Sequence, residues 1–196
     1  CYFCGCTMLV THNRGQIREY NDYLKREIGM VVPLISHDRM VVQLHWGGGT
    51  PSYLEPDEIR DIGSFVRDRF NYDDLIEAGV EIDPRSLTID HMKALRDVGF
   101  NRISMGVQDF DERVQQAVNR IQPESLTRDA IDWSRSLGFQ SINLDLIYGL
   151  PHQTMQSFEQ TIDKIIDLAP DRLAVFNYAH VPWLKPHQKL IHEEDL

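Results

Sequence analysis

Gly99-Phe100-Asn101-Arg102-Ile103-Ser104 and Gly138-Phe139-Gln140-Ser141-Ile142-Asn143 are two copies of one pattern. Each follows an amphipathic helical stretch, places a glycine where a helix ends in the left-handed conformation, and runs into an apolar strand. Pro170-Asp171-Arg172-Leu173-Ala174 is a weaker third copy. Successive strand-helix units with short connections imply a parallel sheet with right-handed crossovers, in a barrel or a doubly wound sheet. The fold class is therefore α/β, and no linker divides the units.

Upstream, Met40-Val41-Val42-Gln43-Leu44-His45-Trp46 is an apolar run that stops at Gly47-Gly48-Gly49-Thr50-Pro51, as a buried strand stops before a loop. Pro56, with Asp57 and Glu58 behind it, opens a helix on which Ile59, Ile62, Val66 and Phe70 recur at helical spacing. A second strand is predicted near Gly79-Val80-Glu81-Ile82, closed by Asp83-Pro84. Thr88 is placed to cap a helix that turns Met92, Leu95 and Val98 inward and ends at Gly99. Arg102 to Val107 is the third strand.

Glu81, Gln108, Asp145 and the segment Asn177-Tyr178-Ala179-His180 are each read at or just beyond the C-terminal end of a strand, as is the glycine loop. Polar groups converging from several strand ends on one face are how parallel barrels build a site. Each alone reads equally well as a solvated loop residue; their coincidence points to a bound polar metabolite. The triple glycine lets backbone groups approach a ligand closely, or is simply a flexible turn. Its spacing is neither the dinucleotide fingerprint nor a P-loop.

All three cysteines lie in Cys1-Tyr2-Phe3-Cys4-Gly5-Cys6. Cys1 and Cys4 have the C-x2-C spacing that lets two thiolates reach one metal centre, and soft thiolates select zinc, copper(I) or iron-sulfur clusters. No second C-x2-C or H-x3-H pair completes a closed zinc site. The plain alternative is a set of ordinary reduced thiols. Clustered cysteines without partners elsewhere fit a reducing compartment, so a cytoplasmic location is expected.

At 196 residues and 42% hydrophobic content the chain can bury one substantial core. A formal net charge of -10 argues against a nucleic-acid-binding surface, while leaving room for a local basic pocket. No apolar run approaches the roughly 20 residues needed to span a bilayer, so no membrane association is expected.

Together, Cys1 to Cys6, His45-Trp46-Gly47-Gly48-Gly49-Thr50-Pro51, Ser104-Met105-Gly106-Val107-Gln108-Asp109-Phe110, Asn143-Leu144-Asp145-Leu146-Ile147-Tyr148-Gly149-Leu150-Pro151 and Phe176-Asn177-Tyr178-Ala179-His180 resemble the oxygen-independent coproporphyrinogen III oxidase family. That family consists of radical S-adenosylmethionine (SAM) enzymes of haem biosynthesis, and the likeness runs over essentially the whole chain. It implies an incomplete (β/α)6 TIM-like radical SAM barrel. Residues 1–196 would be a partial core domain truncated at both ends, without the first strand and the C-terminal region that helps cover the substrate.

The resemblance also implies cofactors and residues. The family holds a 4Fe-4S cluster through C-x3-C-x2-C; Cys1 and Cys4 match its last two ligands, the first is expected upstream, and Cys6 matches an additional cysteine that need not ligate. Gly48 and Glu81 match residues that contact the cluster-bound SAM. Phe3, Gly49, Thr50, Gln108, Arg120, Asp145 and Ala179 match the lining of a second SAM site. Without the resemblance Arg120 reads as a surface arginine.

The implied reaction converts two propionate side chains of coproporphyrinogen III to vinyl groups, giving protoporphyrinogen IX, with an unidentified electron donor and acceptor. A monomer is expected, and no catalytic acid or base is assigned among the eight histidines. Two other readings stand beside it. A related haem chaperone shares the barrel and cluster, although the Cys4-Gly5-Cys6 ending favours the oxidase. A plain metal-binding α/β fragment would have no turnover.

Overall fold

The computed structural model describes residues 1–6 and 10–196. Helix α1 (Arg14–Val31) precedes strand β1 (Met40–Trp46), and there follow α2 (Pro56–Arg67), β2 (Asn71–Ile82), α3 (Ile89–Asp97), β3 (Arg102–Gln108), α4 (Glu112–Ala117), α5 (Glu124–Ser136), β4 (Ser141–Tyr148), α6 (Met155–Leu168) and β5 (Arg172–Asn177). Among the described residues the five strands form one sheet in the order β1-β2-β3-β4-β5, and every neighbouring pair is parallel. None of the described helices is long and apolar enough to cross a membrane.

The repeated junctions explain why the strands lie in this register. At the end of α3 the Phe100 N–H donates to the Leu95 carbonyl and the Gly99 N–H to the Arg96 carbonyl, with Gly99 at φ +96°. At the end of α5, Phe139 bonds to Ser134 and Gly138 to Arg135 in the same way, with Gly138 at φ +73°. These are paired Schellman bonds, in which a residue without Cβ takes the left-handed turn and the next one drops its side chain into the core. Phe100 and Phe139 are both buried.

Asn101, immediately after the first junction, then fastens the chain to β2. Its Oδ1 accepts from the Ala78 N–H at 2.9 Å and its Nδ2 donates to the Ile76 carbonyl at 2.8 Å. Asp171 does the corresponding work before β5, accepting from the Ile142 N–H at 2.8 Å. The third copy is weaker for a visible reason. Ala169 takes the left-handed turn at φ +48°, and Pro170 has no N–H to donate.

Alternation separates the two faces of the sheet. Ile103, Met105 and Val107 of β3 and Ile142, Leu144 and Leu146 of β4 are buried with Ile59 of α2, Met92 and Leu95 of α3, Ile131 of α5 and Ile165 of α6. Ser104, Gly106 and Gln108 and, beside them, Asn143 and Asp145 occupy the opposite, polar face. Glu81, in register with Ser104, shares that face.

Three local expectations need correction. Phe70 lies beyond α2, which ends at Arg67, so only Ile59, Ile62 and Val66 form its buried stripe. β2 begins at Asn71, well before Gly79, because its polar first half pairs with β1 from Met40 onward. Asp145 sits inside β4 and not at its end, since the strand continues to Tyr148.

Replacing Asn101 with Ala leaves a buried N–H and a carbonyl of β2 without partners. The expected cost is about 1–3 kcal/mol, read as a lower melting temperature. Gln140→Ala is the matched control, because that side chain is exposed and only its backbone N–H bonds to the Asn101 carbonyl. Equal melting temperatures for the two variants would remove Asn101 from the register argument.

Candidate cluster and nucleotide site

The cysteine loop lies over the polar face and is held by backbone contacts. The Tyr2 N–H donates to the Val118 carbonyl at 2.8 Å, His187 Nε2 to the Cys4 carbonyl at 2.6 Å, and Gln188 Nε2 to the Phe3 carbonyl at 3.0 Å. Tyr2 and Phe3 pack on a small apolar cluster of Val114, Val118, Leu150 and Ile191. Cys1, Cys4 and Cys6 are all free thiols. The Cys6 N–H points to Cys4 Sγ at 3.4 Å, and burial, followed by the charge of Cys4, pushes the Cys6 thiol pKa up.

Beyond β1 the glycines make a second wall. A Cβ at Gly47 would lie 2.7 Å from Glu81 Oε1 and from His45 Nε2, so a side chain there would push both of those side-chain ends aside. The Gly48 N–H donates to Glu81 Oε2 at 3.1 Å. Gly48 and Gly49 have φ of +78° and +59°, and nothing stands within 4 Å of where a Cβ would be on either. The space before them is open to a ligand. Thr50 is half-buried and begins the short turn Pro51–Tyr53, accepting at its carbonyl from the Tyr53 N–H.

Arg120 is carried by the end of α4. Asn119 takes the left-handed turn at φ +51°, and the Arg120 N–H reaches back to the Gln115 carbonyl at 2.8 Å. That Schellman geometry aims the side chain onto the sheet's polar face, where the residue is only 8% exposed. Its Nη2 donates to the Gly106 carbonyl at 2.7 Å and lies 3.8 Å from Asp83 Oδ1, while Nη1 lies 3.5 Å from Cys1 Sγ. Burial pushes its pKa down to about 10, against the opposing pull of Asp83, so it stays a cation at neutral pH. Asp83 is in turn held by Arg85, whose Nη2 and Nε donate at 2.6 and 2.9 Å. Burial raises the Asp83 carboxyl, but the Arg85 hydrogen bonds and the Arg120 charge outweigh it and the net shift is downward.

Gln108 ends β3 at φ +70°, with a register shift between Gly106 and Gln108. Its Oε1 and Arg120 Nε are both buried without a hydrogen-bond partner. Such orphaned groups hold hydrogen-bonding capacity that a water or a ligand can satisfy. Asp145 accepts from Asn143 Nδ2 at 2.7 Å and weakly from Ser104 Oγ at 3.4 Å. Burial, aided by the Glu81 charge, raises its pKa against those bonds. Ala179 follows β5, and its carbonyl accepts from Gln188 Nε2 at 3.2 Å.

Glu81, Gln108, Arg120 and Asp145 thus meet on one face, with the glycine loop beside Glu81 and Cys1 beside Arg120. Burial of Arg120 overturns its reading as a surface residue. Sequence reasoning missed Asp83 and Arg85, although Asp83-Pro84-Arg85 is a turn signal that pairs neighbouring opposite charges. It also missed Gln188, which between His187 and Lys189 carries no local sign of burial.

The donor set fits an iron-sulfur cluster better than an all-protein metal site. Among the described residues no three His, Cys, Asp or Glu side chains converge to hold a metal ion. Of the three free thiols, Cys1 lies 3.5 Å from Arg120 Nη1 and Cys4 is the one to which the Cys6 N–H points, and thiolates are the ligands that iron-sulfur clusters take.

The chain is 47% identical over 196 residues to the oxygen-independent coproporphyrinogen III oxidase of Synechocystis sp., covering all of this chain and 42% of that protein. It is 48% identical over 198 residues to the protein of the same name from Pseudomonas aeruginosa, covering 43% of it. The solved coproporphyrinogen III oxidase HemN from Escherichia coli superposes with a TM-score of 0.96 at 46% identity, over all of this chain and 45% of that one. The chain therefore spans less than half the length of these relatives. The likeness makes the five-stranded sheet part of an incomplete radical SAM barrel. The radical SAM superfamily profile matches residues 1–165, and a 4Fe-4S cluster and SAM are the cofactors that this superfamily implies. The chain belongs to the radical SAM superfamily.

Proposed function

We propose that the complete polypeptide is an oxygen-independent coproporphyrinogen III oxidase, a cytoplasmic monomer that converts two propionates of coproporphyrinogen III to vinyl groups. The observation that carries this reading is agreement along the entire chain with relatives bearing that name. Those names favour the oxidase over a haem chaperone.

In this reading Cys1 and Cys4 supply thiolates to the 4Fe-4S cluster. Glu81, held open by Gly47 and Gly48, accepts hydrogen bonds from the amino group of cluster-bound SAM. Phe3, Gly49, Thr50, Gln108, Arg120, Asp145 and Ala179 would line the site of a second SAM. The buried guanidinium of Arg120 would pair with its carboxylate, and Asp145 would accept from its amino or hydroxyl groups. When bound, the cluster and SAM supply an electron and the radical hydrogen abstraction. Each propionate side chain then gives up a hydrogen atom, carbon dioxide and one further electron, which leaves for an acceptor. The protein's share is to hold the reacting carbon close to the radical precursor and to keep water and competing donors away.

Anaerobically purified complete polypeptide is expected to carry one oxygen-labile 4Fe-4S cluster. Iron and sulfide analysis should find it lost in Cys1→Ala and in Cys4→Ala and retained in Cys6→Ala. A full cluster in either of the first two variants refutes the ligand assignment.

Glu81→Ala is expected to keep iron and sulfide while weakening SAM binding. Loss of a charge-assisted bond of about 1.5–3 kcal/mol corresponds to roughly 10- to 150-fold. Isothermal titration of the cluster-loaded protein decides this, and unchanged affinity removes Glu81 from the site.

For Arg120→Ala, equilibrium dialysis with labelled SAM should show occupancy falling from two molecules toward one, with the cluster intact and less porphyrinogen decarboxylated. Arg120→Lys, which keeps the charge and loses the planar fork, should fall between. Unchanged stoichiometry in both variants defeats the second pocket.

A further inference from the structure

One buried side chain outside this assignment joins two parts of it. Gln188 is 1% exposed. Its Nε2 donates both hydrogens, to the Phe3 carbonyl at 3.0 Å and to the Ala179 carbonyl at 3.2 Å, and its Oε1 accepts from the Val181 N–H at 2.6 Å. All three partners are backbone groups, one in the cysteine loop and two beyond the end of β5. The neighbouring His187 donates to the Cys4 carbonyl, and since a carbonyl only accepts, the proton sits on Nε2. Consecutive residues of the turn Pro186–Leu190 therefore clasp consecutive carbonyls of the cysteine loop.

The turn is itself built to hold that position. Lys185 N–H bonds back to the Val181 carbonyl at 3.0 Å, and Gln188 N–H to the Lys185 carbonyl at 2.9 Å. The Ile191 N–H closes on the Gln188 carbonyl at 3.0 Å. Ile191 is buried in the apolar cluster against which Tyr2, Phe3 and Tyr178 pack. The amide is thus pinned from below by packing and from both sides by hydrogen bonds.

We infer that Gln188 is a positioning residue that fixes the spacing between the Phe3-Cys4 turn and Ala179. A loop of small radius with few internal bonds is poorly preorganised, and a fully satisfied buried amide removes that freedom. Phe3 and Ala179 are walls of the same proposed second SAM pocket, and Cys4 a proposed cluster ligand, so this inference rests on the reading proposed above. Its effect runs through those residues, because Gln188 presents no free polar atom to a ligand.

The test uses the complete polypeptide with Gln188→Met, which keeps length and volume without the hydrogen bonds, and Gln188→Glu, which keeps the acceptor for Val181 but loses both donors. Thr161→Val is the control for general destabilisation. It removes buried bonds from α6 to Asp109 and the Phe110 N–H, neither of which involves residues 1–6 or Gln188. In apo-protein, hydrogen exchange followed by mass spectrometry should speed up over residues 1–6 in both Gln188 variants. Over residues 179–184 it should speed up further in Gln188→Met, and Thr161→Val should match the native protein in both segments.

In reconstituted protein, the change in the electron paramagnetic resonance spectrum that SAM induces in the reduced cluster should be diminished in both Gln188 variants, with SAM binding weakened about tenfold. Thr161→Val should keep both. If Gln188→Met does not fold, Gln188→Glu carries the test through the 1–6 segment alone. Native exchange over residues 1–6 in the folded Gln188 variants overturns the inference, as does an equal spectral change in Thr161→Val. Native protein that binds no cluster defeats the proposed function instead, and the exchange data then decide the role of Gln188 by themselves.

Discussion

The alternation of β3 and β4 is the constraint on which the rest of this structure depends. A parallel sheet has two faces to satisfy, and side chains can be sent to them only by turns along each strand. Here Ile103, Met105 and Val107, with Ile142, Leu144 and Leu146 beside them, take the helix-covered face completely. Everything polar on those strands is therefore delivered to the other side. Ser104 and Asn143 face Asp145, and Gly106 leaves its carbonyl free for Arg120. A slip of one residue would exchange the core for the site, which is why the junction bonds of Asn101 and Asp171 matter beyond their own energy.

Charge on the polar face is arranged as a relay of neighbours, and burial sets its cost. Arg120 is taken out of water, which by itself disfavours its charge, and Asp83 offsets this from 3.8 Å. Arg85 then holds Asp83 in place from the partly exposed rim. Asp145 and Glu81 add negative charge nearby, and burial, followed by the Glu81 charge, raises the cost of ionising Asp145. The outcome is a cation with a partly unmet hydrogen-bonding capacity beside carboxylates and thiols. That combination suits a zwitterionic amino-acid headgroup better than a simple anion.

The parallel strand-helix order was legible because glycine and an aromatic residue recur at the helix-to-strand junctions with the same task in both, the first turning left-handed and the second entering the core. Glu81 and Gln108 were legible as strand-end polar groups; Asp145 was read the same way, but β4 runs on past it to Tyr148. Arg120 was not legible from its surroundings in sequence, since its burial follows from a left-handed Asn119 and a six-residue helix, not from any apolar pattern. Gln188 was hidden for a similar reason. Its partners are carbonyls and an N–H, and backbone groups leave no trace in the identity of the residues that bear them. The polar first half of β2 escaped because strand pairing with β1 overrides its weak local preference.

The mounting of Arg120 on the last turn of α4 has an evolutionary consequence. An α-helix turns about 100° per residue, so adding or deleting one residue in α4 would swing the departing chain by that angle. A guanidinium that now meets the Gly106 carbonyl would be carried away from the sheet, even with every other residue unchanged. The length of this short helix thus bears on where the guanidinium lands as much as the identity of the arginine does. Across related chains, insertions should accumulate in the exposed α1 to β1 connection and be absent between Asp111 and Arg120.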